Sequence, residues 1–186
     1  MIVNDFKTRV GSVEWGKFDR CHTGSVAANI VNLLSDDPMI KETHLRQLER
    51  NLLPQDVLCE AAYYAIPFLL ELLQDERARG SVYEILPLLA ICSQPEAYDA
   101  RFAPDGEEQS LTRACRASLE AGVSYYVRDV QDRSLPNSCR LNALSTVCRL
   151  RDRKNDWFPA IRRAFDTESD PEMRQAIEEW LSEDVK

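Results

Sequence analysis

Apolar residues recur at intervals of three and four along most of this chain, which is the spacing of one face of an α-helix. The clearest stretch runs from Ala65 to Ser93, AIPFLLELLQDERARGSVYEILPLLAICS, and predicts two apolar helices joined by a short charged turn. A helical pair that cannot bury its own apolar face stacks on copies of itself. The recurrence of such pairs predicts an all-α fold, a right-handed α-solenoid of about four helical hairpins with an N-terminal capping helix.

The predicted hairpins share one organisation, in which a polar turn separates two amphipathic helices. We expect a single domain over 1–186, with a cap at 1–22, helical pairs at 23–53, 54–93, 107–151 and 155–184, and an inter-repeat loop at 94–109. Within the cap, a short helix is expected from about Ser12 to Arg20. An acidic residue followed by proline, at Asp37 and again at Asp170, predicts where a second helix starts.

Three positions are expected to disturb the helices, and one of them, Pro87, is expected to perturb its helix in the same way as Pro67. Pro67 removes a backbone hydrogen bond, which predicts a kink near Tyr63 and Tyr64 or two shorter segments. Gly122 lies inside the apolar pattern that runs from Leu111 to Val130, and it weakens that helix by about 1 kcal/mol relative to alanine.

Charge and hydropathy limit the classes of partner. The net charge of -8 and the isoelectric point near 4.9 repel nucleic acid and anionic lipid, so a basic protein is the expected partner. The start, MIVNDFKTRVGSVEW, lacks the apolar run of a secretory signal, and no stretch approaches roughly 18 uninterrupted apolar residues. We therefore expect a cytoplasmic protein with no membrane partner.

No set of reacting groups emerges from the sequence. The cysteines form no CxxC pair and are expected to be reduced structural thiols: Cys21, Cys59, Cys92, Cys115, Cys139 and Cys148. His44 is expected to be partly buried with a hydrogen-bond partner, and Cys21 beside His22 suits a helix-capping loop as well as a ligand pair. We predict no catalytic residue, no metal and no cofactor, and hence a protein that is not an enzyme.

Basic residues are frequent in the second half of the chain and could form a strip along one edge. They are Arg128, Arg133, Arg140, Arg149, Arg151, Arg153, Lys154, Arg162 and Arg163. Acidic residues, such as Asp129 and Asp156, are interleaved with them. This pattern favours helix surfaces with many ion pairs, and nucleic acid is not an expected partner.

Three segments resemble the HEAT repeat, and more specifically short bacterial HEAT-like proteins. They are NIVNLLSDDPMIKETHLRQL, IPFLLELLQDERARGSVYEILPLLAI and WFPAIRRAFDTESDPEMRQAIEEWL, and the resemblance spans residues 24–184. A basic residue early in the second helix is recognisable at Lys41, Arg140 and Arg174. The loop at 94–109 interrupts the period. Proteins of this kind include protein-binding scaffolds, immunity proteins against secreted toxins, chromophore lyases and DNA glycosylases.

The resemblance implies that second helices line a concave surface, and it suggests which residues face it. These protein-binding candidates are Glu42, Arg46, Glu49, Tyr83, Glu84, Arg140 and Glu178. We predict a noncatalytic interaction module, an immunity or inhibitor protein that binds a basic toxin or effector domain as a monomer or weak dimer. The alternatives are a glycosylase-like or lyase-like enzyme with its pocket in the same groove, and a regulatory adaptor unrelated to toxins.

Overall fold

The computed structural model describes residues 3–18, 25–94, 97–104 and 106–183, and these form a mainly helical protein. Its α-helices are α1 (Val3–Ser12), α2 (Val26–Asn32), α3 (Pro38–Leu52), α4 (Glu60–Leu72), α5 (Glu76–Cys92), α6 (Leu111–Glu120), α7 (Val123–Gln131), α8 (Asn137–Arg149), α9 (Lys154–Thr167) and α10 (Pro171–Glu183). Two short strands, β1 (Arg101–Phe102) and β2 (Gln109–Ser110), pair antiparallel. The predicted all-α class is confirmed. None of the described helices is both long enough and apolar enough to cross a membrane.

The chain divides into two compact units, Met1–Leu119 and Glu120–Lys186. In the first unit α2 packs on α3 and α4 on α5, while α2 also contacts α4 and α3 also contacts α5. In the second unit α7 packs on α8 and α9 on α10, with further contacts of α7 on α9 and α8 on α10. Each unit therefore stacks two helical pairs, first helix on first helix and second helix on second helix.

The apolar face of each helix supplies the core of its unit. In the first unit the fully buried side chains include Ile30, Leu48 and Leu69, and in the second they include Tyr126 and Trp157. Burying one large apolar side chain is worth about 1.5–3 kcal/mol, so these faces account for much of the stability of each unit.

Both acidic residues that precede a proline cap a second helix, as predicted. The Asp37 carboxylate accepts a hydrogen bond from the Met39 N–H at 2.8 Å, and Pro38 begins α3. In the second unit the Asp170 carboxylate accepts from the Met173 N–H at 3.0 Å, and Pro171 begins α10. A carboxylate at this position satisfies a helix N–H that has no partner within the helix.

The N-terminal cap differs from the prediction. Its helix is α1, Val3–Ser12. Over the described part, 12–18, the expected helix from Ser12 to Arg20 is wrong, because α1 ends at Ser12 and Trp15 lies in a 3-10 turn, Trp15–Lys17. Phe6 and Val10 are the buried residues of α1, and one pair of apolar residues is a weak periodic signal. The remainder of the predicted cap, at 19–22, lies outside the described residues.

The helix that contains Pro67 is continuous from Glu60 to Leu72, so the expectation of two shorter segments is wrong. The helix also begins later than the pattern suggested, because the preceding Pro54–Asp56 forms a 3-10 turn. Pro67 is exposed, so its ring faces away from the buried side of α4. A helix can tolerate proline there at the cost of one backbone hydrogen bond.

Two further segments depart from the sequence prediction. The apolar pattern from Leu111 to Val130 forms two helices, α6 and α7, and Gly122 is the N-cap of α7. The segment at 94–109 is not only a loop, because β1 lies within it and pairs with β2. Phe102 on β1 is buried and contacts the Tyr63 ring edge-on, with ring centroids 5.1 Å apart. A buried aromatic residue thus lies in a segment that is otherwise polar.

Candidate functional site

A groove of about 660 Å³ lies between α3 and α5 in the first unit. Its lining combines carboxylates, basic groups and a few apolar side chains, and we call it the α3/α5 groove. It is lined by Pro38, Lys41, Glu42, Leu45, Arg46 and Glu49 from α3, and by Glu76, Arg77, Gly80, Ser81, Glu84 and Ile85 from α5. Leu45 and Ile85 are buried and form its floor, while Glu42, Glu49 and Glu84 are exposed.

Helical spacing explains why these residues share one groove. On α3 the residues Pro38, Glu42, Leu45 and Glu49 follow at intervals of three or four, so their side chains lie along one face. On α5 the small residues Gly80 and Ser81 leave room between the helices. The groove therefore results from a polar face on α3 that is opposite a depression in α5.

Local contacts fix the relative direction of the two helices. Near their first turns, the Lys41 Nζ donates a hydrogen bond to the Arg77 carbonyl oxygen at 2.7 Å. At the other end, the Cys92 Sγ contacts the carbonyl oxygen of Asp56, just beyond α3, at 3.3 Å. The two walls thus run in the same direction. Asp75 caps α5 by accepting from the Arg77 N–H at 3.1 Å, as Asp37 caps α3.

The groove lining carries four carboxylates and three cations, so its excess of charge is a single negative unit. Lys41 and Arg77 lie at the end where the two helices begin, and Glu49 and Glu84 lie further along with Arg46 as the nearest cation of the lining. Arg46 pairs with Glu42 at 2.5 Å between Nη2 and Oε1. Partial loss of solvent raises the pKa of Glu84, and the charges of Glu42 and Glu49 raise it further, while Arg46 opposes the change. The raised pKa of Glu84 therefore reflects partial burial first and the neighbouring carboxylates second.

The groove offers little for catalysis or metal binding. Glu42, Glu49 and Glu84 share it, yet no group of His, Cys, Asp or Glu among the described residues is arranged to hold a metal ion. The lining residues include neither histidine nor an aromatic side chain. Its carboxylates can instead form ion pairs and hydrogen bonds with an organic cation such as an ammonium or a guanidinium.

Four of the predicted site residues come together in this groove, namely Glu42, Arg46, Glu49 and Glu84. Tyr83 does not, and its prediction is wrong, because its side chain is completely buried. Neighbouring residues on a helix point about 100° apart, so exposure of Glu84 places Tyr83 on another face. The spacing from Gly80 to Glu84 would have identified the correct face of α5.

The other two predicted residues belong to the second unit. Arg140 is 3% exposed, so its assignment to a contact surface is wrong. It forms a buried ion pair with Glu168 and also donates from Nε to the Val130 carbonyl oxygen at 3.1 Å. Glu178 is exposed on α10.

Glu168 is held as a carboxylate by several donors. Burial alone would raise the pKa of Glu168, but the Asp170 N–H and the Arg140 guanidinium hold that pKa below its usual value. The N–H groups of Ser169 and Asp170 both donate to Oε1 at 2.9 Å. Arg140 and Glu168 therefore join α8 to the turn between α9 and α10, which is a structural role.

The remaining sequence candidates have local partners. His44 is half-buried, with its Nδ1 2.7 Å from the Asn29 Oδ1 and its Nε2 3.1 Å from the Asn32 Nδ2, as the prediction of a hydrogen-bonded histidine required. Cys115, Cys139 and Cys148 are buried, whereas Cys59 and Cys92 are half-buried. Cys21 and His22 lie outside the described residues.

The basic strip predicted in the second half is interleaved with acidic and aromatic partners. Arg128 pairs with Asp129 at 2.6 Å, and Arg153 pairs with Asp156 at 2.5 Å. Lys154 lies over the Phe158 ring, 4.9 Å from its centroid. These contacts agree with the interpretation of a helix surface with many ion pairs.

Neither the family models, nor the curated proteins, nor the solved structures that we compared with this chain give a match. The geometry and charge of the α3/α5 groove are therefore the basis for a functional interpretation.

Proposed function

We propose that this chain is a noncatalytic protein-binding module and that its α3/α5 groove takes a basic segment of a partner protein. The observation that carries the proposal is the gathering of Glu42, Glu49 and Glu84 in one groove in which Arg46 pairs with Glu42. Glu49 and Glu84 have no cation within ion-pair distance among the described residues. A lysine or arginine of a partner would supply the missing positive charge.

The more specific form of this proposal is a HEAT-like solenoid that acts as a cytoplasmic immunity or inhibitor protein. Two observations support it. The stacking of first helix on first helix and second on second, found in each unit, is the packing that such an array would repeat. The net charge of -8 suits fast association with a basic toxin domain. A regulatory adaptor would share both features and differ in its partner.

A catalytic alternative is less well supported. A glycosylase-like or lyase-like enzyme would need carboxylates that converge beside aromatic walls to hold a substrate ring. The groove contains carboxylates, but its lining residues Leu45 and Ile85 are aliphatic and none of the others is aromatic. Ser81 has no histidine beside it in the groove to act as a base.

The proposal is tested by charge reversal with a matched control. The groove variant carries Glu42→Lys, Glu49→Lys and Glu84→Lys, and the control carries Glu107→Lys, Glu108→Lys and Asp166→Lys, three exposed acids outside the groove. Both sets change the net charge equally. Proteins from the native host are captured with immobilised wild type, groove variant and control, and are identified by mass spectrometry.

We expect one or more basic proteins to bind to wild type and control and to be lost from the groove variant. The affinity of such a partner should fall by at least about tenfold in the groove variant, since several charge pairs are removed. Equal capture by all three proteins would contradict the proposal. If the lost partner is a toxin, coexpression with wild type should restore growth of cells that produce it, which separates an immunity protein from an adaptor.

A further inference from the structure

The groove face of α5 continues beyond the acidic cluster into an apolar surface. Leu88 and Ile91 follow Glu84 by four and seven residues, so they lie on the same side of the helix. Leu88 is half-buried and Ile91 is 42% exposed, which is unusual for a large aliphatic side chain in this protein. At 1.5 Å per residue, Glu84 and Ile91 are about 10 Å apart along the helix axis.

Both walls of the groove are helices, and this limits the backbone conformation of an occupant. Apart from the terminal turns and the break that Pro87 makes in α5, the N–H and C=O groups of α3 and α5 are bonded within each helix, so the groove presents side chains and no free strand edge. A segment in such a groove finds no strand to pair with, and its backbone groups are left to bond with one another or with side chains of the lining. A helix bonds these groups with one another, and it also fits between two parallel helices by placing its side-chain ridges in their groove.

We infer that the occupant of the α3/α5 groove is an amphipathic helix of the partner, with a lysine or arginine over Glu49 and Glu84 and an aliphatic residue two turns away on Ile91. This rests on the proposed function and adds the partner's secondary structure and register. Charge complementarity selects the cation at one end, and the exposed Ile91 selects the apolar residue at the other.

Three synthetic peptides of equal length and equal charge test the register. The first peptide has three lysines, one at its centre and one four residues away on each side. Its two leucines lie seven residues from the centre, one on each side, and the other positions are alanine and glutamine. Because the pattern is symmetric, the peptide fits the groove in either orientation. The second moves each leucine two positions towards the centre, onto another face. The third replaces two alanines of the first by proline to prevent helix formation. Binding is measured by fluorescence anisotropy at low salt.

Two variants of the protein complete the test, Ile91→Ser and its control Ile40→Ser. Both isoleucines lie on helices and are similarly exposed, 42% and 41%. Neither lines the groove itself, but Ile91 follows Glu84 by seven residues on the groove side of α5, whereas Ile40 is offset by five residues from Leu45 on α3 and lies on another side of that helix. We expect the first peptide to bind wild type about fivefold more tightly than the second, which is the effect of burying part of one aliphatic side chain. The third should bind no more tightly than the second, because it cannot form the helix that brings lysine and leucine onto one face. The two isoleucine variants are judged by the difference between the first and second peptides. Ile91→Ser should remove that difference, and Ile40→Ser should keep it.

The outcomes separate this inference from the proposed function. Equal binding of all three peptides, abolished by Glu49→Lys with Glu84→Lys, would leave the acidic groove as a binding site and overturn the helical register. An advantage of the first peptide that survives Ile91→Ser would also overturn it. Binding that is unaffected by Glu49→Lys with Glu84→Lys would contradict both proposals.

Discussion

Each unit has a basic residue early in a second helix, and the two residues have different roles. In the first unit, Lys41 of α3 is half-buried and donates to the carbonyl oxygen of Arg77, at the start of the next second helix. In the second unit, Arg140 of α8 is buried and pairs with Glu168, just before the next second helix. The first contact leaves a charged groove open to solvent, whereas the second removes a charge pair from solvent.

The difference shows that one pattern position can serve either a surface or a core. A lysine on a backbone carbonyl needs no buried carboxylate, so the acids beside Lys41 stay available in the groove. A buried guanidinium must be paired, and Glu168 is therefore committed to Arg140. We propose that the first unit binds the partner and that the buried pair of the second unit serves stability.

Loss of the buried pair should have the largest effect. Arg140→Ala leaves Glu168 buried without its cation, and breaking a buried ion pair in this way costs about 3–5 kcal/mol. Lys41→Ala should cost only about 1 kcal/mol, since it removes one hydrogen bond near the surface. Urea unfolding followed by circular dichroism measures both. Equal losses of unfolding free energy in the two variants would refute the distinction between a buried ion pair and a surface hydrogen bond.

The pH dependence of stability should follow Glu168. Because its pKa is lowered in the folded protein, its contribution is present above the usual value of 4.5 and is lost as the pH falls through the folded pKa. Glu168→Gln should lower the unfolding free energy at pH 7 by about 2 kcal/mol and flatten the decline in acid. Urea titrations from neutral to acidic pH measure this. An unchanged slope in the variant would count against the pair.

The helix caps should behave alike in the two units. Asp37→Ala and Asp170→Ala each remove a carboxylate that accepts from a first-turn N–H, and each should cost about 1 kcal/mol. Chemical denaturation of the two variants tests whether the two caps contribute the same free energy of unfolding. If only one variant has a lower free energy of unfolding, tertiary contacts and not the cap determine the stability of the helix start in the other.

The smallest effect should have the opposite sign. Glu84 has a raised pKa, so its ionised form is disfavoured in the folded protein and Glu84→Gln should stabilise the protein at pH 7. Relief of like-charge repulsion on a helix surface is worth about 0.3 kcal/mol. Glu108→Gln, an exposed control, should change nothing. A thermal melt that shows destabilisation by Glu84→Gln would contradict the unfavourable ionisation of Glu84 in the folded protein.

The sequence predicted the helices well because local signals define them. Asp37 with Pro38 and Asp170 with Pro171 mark helix starts through contacts within one turn, and those predictions are confirmed. The groove was partly predictable for the same reason, since Glu42, Arg46 and Glu49 share a face by their spacing alone.

The remaining features depend on contacts between distant residues. The sequence around Arg140 does not indicate that it forms a buried ion pair with Glu168, which lies 28 residues away. Phe102 contacts the Tyr63 ring, which is distant in the sequence but beside it in the fold. Tyr83 could have been placed correctly, because the interval from Gly80 to Glu84 to Leu88 defines the exposed face of α5.

The most direct test of the central claim is a map of amide chemical shifts in the nuclear magnetic resonance spectrum while the first lysine and leucine peptide is added. We predict perturbations at residues 38–49 and 76–91 of α3 and α5, and none at the equivalent helices α8 and α10. Perturbations of equal size on α8 and α10, or a spectrum that does not change at α3 and α5, would contradict the assignment of the acidic groove as the binding surface.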